Sequence, residues 1–330
     1  MSDIVLVQNN KTKYASLLQD WGGASVFFES WWLDAVYAGQ QWDVLFSEDE
    51  DGTVLAMLPY CRYNTWRMQY SDMPLKTLEA GVVVRPDIVS QPQQLDRIAT
   101  DLCGQLASLG LAYYRHQFPL RSFMPERFAK NGFKQTEVSR FVFEHLEEID
   151  IVIKRFNKQR TSELARSVTL GSDNDMSAEE FYRFAQQCAL EQHISLPYTR
   201  EFFLVLYQKV VREHRGQLLR LTNMVGDTLA AAFLVWDSKT LYLLMAYSSR
   251  LHQDSGASAR LLVEALKKAH TMQLRVDLCL PKKHQSASLL KQFGAEKQKA
   301  IVVSKVFNGW FRLPLLFRWF KRQSLDCQYL

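Results

Sequence analysis

The chain of 330 residues predicts an α/β fold in two tandem units, each a mixed sheet with helices packed on it. Three observations predict it. Helix-like and strand-like patterns alternate along the chain, the same order of elements occurs twice, and the length passes the ~250–300 residues at which a single core stops growing. Composition agrees, since 47% hydrophobic and 23% charged residues with only 14 glycines and 9 prolines fit neither a fibrous nor a disordered chain. The formal charge of +5 admits an anionic ligand but is too small for the concentrated basic stripe that DNA requires.

The first unit, residues 1–150, opens with a helix over Glu29–Ala38, where Trp31, Trp32, Ala35 and Val36 share a face before Gly39. Strands Trp42–Ser47 and Thr53–Arg62 flank the acidic turn Glu48–Gly52. A helix from Pro92 carries Leu95, Ile98, Leu102, Leu106 and Leu109 at spacings of three and four and stops at Gly110. A strand at Leu111–Gln117, a short helix at Met124–Asn131 and a strand at Phe133–Phe143 close this unit. The second unit, residues 151–330, begins with a basic helical segment, Lys154–Val168, and a helix pair, Ala178–Gln192 and Arg200–His214. Strands Gln217–Asn223, Thr228–Trp236 and Thr240–Ser249 lead to a helix at Ser258–Thr271, whose Leu262, Ala265, Leu266 and Ala269 share one face. A strand at Leu274–Leu280, a short helix at Gln285–Phe293 and a strand at Glu296–Lys305 follow.

The two units echo each other. Gly52-Thr53-Val54-Leu55-Ala56 parallels Gly226-Asp227-Thr228-Leu229-Ala230, and each unit ends in a short helix, a glycine (Gly132, Gly294) and a strand. A diverged duplication explains both. The five cysteines form no close pair and the histidines show no metal-ligand spacing, so a reducing compartment and no metal site are expected. With no signal-like start and no apolar run of ~18–20 residues, the expected location is the cytoplasm.

The doubled order resembles the GNAT acyltransferase fold, and its tandem use resembles the Fem-type (FemAB-like) peptidyl and aminoacyl transferases. Leu241–Tyr247 is similar to the family's long central strand, and Ser255-Gly256-Ala257-Ser258-Ala259-Arg260 to the loop and helix start after it. Asp277 and Phe293-Gly294-Ala295 match a later strand and the terminal Phe-Gly turn. Lys158, Arg160 and Arg166 fall where related proteins carry a basic helical arm. Two departures stand out. Cys279-Leu280-Pro281 replace an acidic-Gly-Ser turn, and the loop holds one glycine, Gly256. The resemblance implies transfer of an acyl or aminoacyl group from acyl-CoA or aminoacyl-tRNA to an amine of a small molecule, sugar or peptide, with no covalently bound cofactor. A non-catalytic binding module on the same fold is the alternative.

The residues suit that chemistry in part. A small-residue turn at a helix N-terminus can cradle a pyrophosphate, which makes Ser248, Ser255, Gly256, Ala257, Ser258 and Arg260 candidate donor contacts. An ordinary helix cap reads the same way. Acyl transfer needs a base for the amine and an acid for the leaving group. Tyr247 at its strand end is the candidate acid and Asp277 the candidate base; each is equally readable as packing or capping. In the first unit the run Tyr60–Tyr70 interleaves arginines with aromatics, so Arg62, Trp66 and Tyr70 are candidate acceptor contacts, as is Lys282 in the second. The tail, residues 309–323, mixes Trp310, Phe311, Phe317, Trp319 and Phe320 with four cations. It fits either an anionic bilayer surface or docking on one of the units.

Overall fold

The structure, a computed structural model, describes residues 2–37, 41–65, 68–146, 148–279 and 290–309. Those residues form two compact units that divide between Val138 and Ser139 and again between Gln298 and Lys299. The sequence division at residue 150 differs because the strand Lys134–Phe143 runs across the first boundary and the last strand runs back across the second.

The first unit starts with α1 (Ser2–Trp21), which periodicity does not reveal, since Asn9-Asn10-Lys11-Thr12-Lys13 interrupts its apolar pattern. Tyr14 and Leu18, one turn apart, are its buried anchors, and the Tyr14 hydroxyl donates to the Phe28 carbonyl at 2.5 Å. After α2 (Ser30–Val36), the strands β1 (Trp42–Glu48) and β2 (Val54–Cys61) form an antiparallel hairpin with Trp42 opposite Cys61. Every residue of β2 is buried, as its unbroken apolar run requires. The Tyr60–Tyr70 run is not one strand. It folds back as β3 (Tyr63–Thr65) on β4 (Met68–Asp72). The short β5 (Val83–Val84) pairs with β2, and α3 (Pro92–Ser108) follows, with Pro92 in the first turn, where its missing N–H costs nothing. Leu95, Ile98, Leu102 and Leu106 of α3 pack with Leu55, Leu58, Phe118 and Phe128 as this unit's core. Next come β6 (Tyr113–Gln117), parallel to β4, then α4 (Met124–Lys130) and β7 (Lys134–Phe143).

The second unit holds α5 (Ile149–Lys154), α6 (Lys158–Arg166), β8 (Gly171–Asp173), α7 (Ala178–Glu191) and α8 (Arg200–Arg212). Its remaining elements are β9 (Gly216–Thr222), β10 (Thr228–Trp236), β11 (Thr240–Ser248), α9 (Ala257–Thr271) and β12 (Arg275–Asp277). Side chains set the helix starts. Ser177 and Glu180 form a capping box on α7, Thr199 caps α8 and Asn157 caps α6. On one face of the sheet, Leu262, Ala265, Leu266 and Ala269 of α9 pack with Leu219, Ala232, Leu241 and Leu243. On α7 and α8, Phe181 lies against Tyr247 and Phe203 against Phe233.

The last strand, β13 (Glu296–Val306), corrects the picture of two self-contained sheets. Its residues Val302–Val306 pair antiparallel with β6 of the first unit, whereas Val142 and Phe143 of β7 pair with Asp277 and Val276 of the second. Each half of the chain thus gives its closing strand to the other unit: the first unit's ladder runs β3-β4-β6-β13 and the second's β7-β12-β11-β10-β9-β8. The small sheet β1-β2-β5 stands apart from it. Among the described residues no helix is long and apolar enough to cross a membrane.

Candidate functional site

The second unit's sheet is arranged to leave β11 longer than its parallel neighbour. β12 pairs with it only over Thr240–Tyr242, and the ladder stops at Tyr242 opposite Asp277. β11 continues to Ser248, with Leu244 as an extra residue in the register against β10, a bulge that re-aims the strand. A 3-10 turn, Arg250–Ser255, then leads through Gly256 into α9. Ser248 thus closes β11, Ser255 closes the 3-10 turn, and Gly256, Ala257, Ser258 and Arg260 stand at the start of α9.

Their partners complicate a phosphate cradle. Ser255 Oγ donates to the His252 carbonyl at 2.6 Å and accepts the Ala257 N–H at 3.2 Å, so it serves as a cap. Arg260 pairs with Glu264 one turn on, at 2.9 Å. Gly256 sits at φ +76°, and a Cβ there would lie 1.9 Å from the backbone oxygen of Glu163 on α6. The glycine is required by the close approach of α6 and by its left-handed backbone.

The two candidate catalytic side chains are not brought together. The register sets Asp277 beside Tyr242, five residues before Tyr247, which is roughly 16 Å along a strand at ~3.3 Å per residue. Asp277 is 1% exposed, and Arg140 of β7 donates to it through Nε at 2.8 Å and approaches through a terminal nitrogen at 2.6 Å. Its other oxygen accepts the Cys279 N–H at 2.9 Å. This carboxylate can pin β7 to β12, and both its oxygens are engaged. Tyr247 is fully buried with its hydroxyl 2.6 Å from that of Tyr198, and burial raises the Tyr198 phenol. Arg140, Tyr198 and Glu191, which accepts from Ser249 Oγ and the Arg250 N–H, are residues that sequence reasoning passes over.

In the first unit Tyr70 is buried and stacks on Tyr63 with ring centroids 5.3 Å apart. Arg62 is exposed and its guanidinium reaches the Tyr60 hydroxyl at 3.3 Å. Trp66, Lys282 and residues 310–323 of the tail lie outside the described residues. Sequence reasoning passes over one further polar group. His116 of β6 is fully buried, its Nε2 lies 3.2 Å from Ser71 Oγ, and Nδ1 has no hydrogen-bond partner. Desolvation holds its pKa down to about 4, against a weaker upward pull from Asp72, with Arg115 adding to the lowering. The unfolded histidine takes a proton near 6.5 and the folded one does not, so stability is full above that value and falls between pH 6.5 and 4. Its share of that loss is about 3 kcal/mol. Urea unfolding at pH 7 and pH 4.5 should show a steeper loss in the native chain than in His116→Gln, and equal losses would contradict this.

No family model and no curated protein matches the chain. Solved structures do. The crystal structure of FemX matches with a TM-score of 0.65 at 8% identity, over 88% of this chain and 95% of that one. L-PGS from Bacillus licheniformis matches with a TM-score of 0.55 at 13% identity, over 95% of this chain and 96% of that one. A tandem GNAT protein from the clavulanic acid biosynthesis pathway matches with a TM-score of 0.54 at 10% identity, over 92% and 95%. At such identities the likeness is one of fold, and it extends over nearly the whole length of each chain. With its doubled order of elements and the long β11 leading into α9, the chain shares the fold of FemX and of the tandem GNAT protein.

Proposed function

We propose that this protein is an N-acyltransferase that moves an acyl or aminoacyl group from an activated donor to the amine of a small molecule, sugar or peptide. The observation that supports this most is the end of β11, which outruns β12 and feeds a small-residue turn and the N-terminus of α9. In the reaction the amine nitrogen attacks the donor carbonyl, the ester or thioester bond breaks, and the amine proton leaves as the leaving oxygen or sulfur gains one. Backbone N–H groups at a strand end or helix start can stabilise the oxyanion, so few side chains need be diagnostic. Tyr247 stands as the acid, and Ser248, Ala257 and Ser258 as donor contacts. Asp277, tied to Arg140, acts as a pin that sets the strand ends. Arg62, Trp66, Tyr70 and Lys282 are proposed from sequence as acceptor contacts.

The Arg260–Glu264 pair and the backbone of Glu163 at Gly256 crowd the place a CoA pyrophosphate would take. They favour a donor whose charge is held elsewhere, and the lysylphosphatidylglycerol synthetases among similar folds fit an aminoacyl donor. The tail is proposed as a membrane-surface contact or a docked segment, and the cytoplasm as the location. A second reading, a binding module without catalysis, draws on the burial of both Tyr247 and Asp277. Thermal unfolding with acyl-CoA and, separately, aminoacyl-tRNA separates the two. A donor at ~100 times its dissociation constant should stabilise by about 2.7 kcal/mol. We expect the aminoacyl donor to raise Tm; a rise with neither donor would favour the module.

A further inference from the structure

The loop between α7 and α8 is fastened at both ends to one short stretch of chain. At its start the Glu191 carboxylate accepts from Ser249 Oγ at 3.1 Å and from the Arg250 N–H at 2.7 Å. At its end the Tyr198 hydroxyl meets that of Tyr247 at 2.6 Å, in a site where both rings are buried. The two fastenings fall within four consecutive residues, Tyr247 to Arg250, at the end of β11. Between them the chain reverses at His193 in the left-handed region (φ +55°), closed by the Ile194 N–H on the Ala189 carbonyl at 3.1 Å. Thr199 then caps α8. The intervening residues 192–197 have no helix or strand of their own and are mostly exposed or half-buried.

We propose that residues 192–197 are a strap that closes over the end of β11, with Tyr198–Tyr247 as its releasable latch and Glu191 as its hinge anchor. The two latches differ in kind. Glu191 holds a charge-assisted bond to a backbone N–H, the stronger type, whereas the tyrosine pair is a neutral bond between two hydroxyls. Opening at the tyrosine end parts the Tyr198 hydroxyl from that of Tyr247, which is fully buried in the closed state. The inference therefore extends the proposed reaction, since Tyr247 can act as an acid only in the open state, but the strap itself stands on geometry alone.

Amide hydrogen exchange of the full chain tests it without any substrate. Tyr198→Phe should speed exchange of residues 192–196 about fivefold, the equilibrium value of one net hydrogen bond, and leave α9 and β10 unchanged. Tyr247→Phe should do the same, and the double variant should fall short of the sum of the two single ones, because both remove the bond between the two hydroxyls. Glu191→Gln should loosen residues 249–251 together with the strap. Unchanged exchange of 192–196 in both phenylalanine variants would overturn the strap. So would a rise spread evenly over α9 and β10, which would mean that the tyrosines only support the core. Loss of transfer activity with the strap intact would count against the proposed reaction alone.

Discussion

Arg140→Ala should cost about 3–5 kcal/mol of stability, because it leaves the Asp277 carboxylate charged and almost fully buried without its cation. Chemical denaturation followed by fluorescence reads this directly. The paired change Arg140→Met with Asp277→Leu should recover most of the loss, since a buried ion pair replaced by apolar residues of similar volume is often neutral. Recovery would identify Asp277 as the pin between β7 and β12. If Arg140→Ala were nearly silent for stability while Asp277→Asn abolished transfer, the carboxylate would be the base that its position at a strand end suggests.

Gly256→Val should destabilise by about 4 kcal/mol, combining overpacking of about 1–3 kcal/mol with a strained left-handed backbone of similar cost. The cause lies on α6, where the Glu163 backbone occupies the space a side chain would need. The effect should therefore appear in unfolding experiments with no ligand present. A variant of native stability that loses only donor binding would restore the glycine to a phosphate cradle.

The helices and most strands are legible in the sequence for physical reasons that also mark the limits. α3 and α9 bury one stripe, so their apolar residues recur at three and four positions, and glycines or capping side chains punctuate the ends. α1 escapes because the polar run Asn9–Lys13 breaks its apolar pattern ahead of the buried anchors Tyr14 and Leu18. The β3–β4 hairpin escapes because both strands draw on the same aromatic run, and β-propensity alone cannot say where a run folds back. The exchange of β7 and β13 is decided by pairing partners, which leave no local trace. The candidate site divides the same way. Its small-residue turn is visible in one stretch of sequence, from Ser255 to Arg260. The partners that define what the turn does are not: Tyr198 lies 49 residues from Tyr247, Glu191 lies 58 from Ser249, and Arg140 lies 137 from Asp277.

Product formation tests acyl transfer most directly. The full chain would be incubated with isotopically labelled aminoacyl-tRNA or acyl-CoA and a mixture of amines on small molecules, amino sugars and short peptides. Mass spectrometry would then follow the label. The account predicts a labelled amide that forms with the native chain, falls at least tenfold in Tyr247→Phe, and is absent without an amine acceptor. Donor hydrolysis without amide, or no turnover of either donor by a folded chain, would contradict it and leave a binding module on a transferase fold.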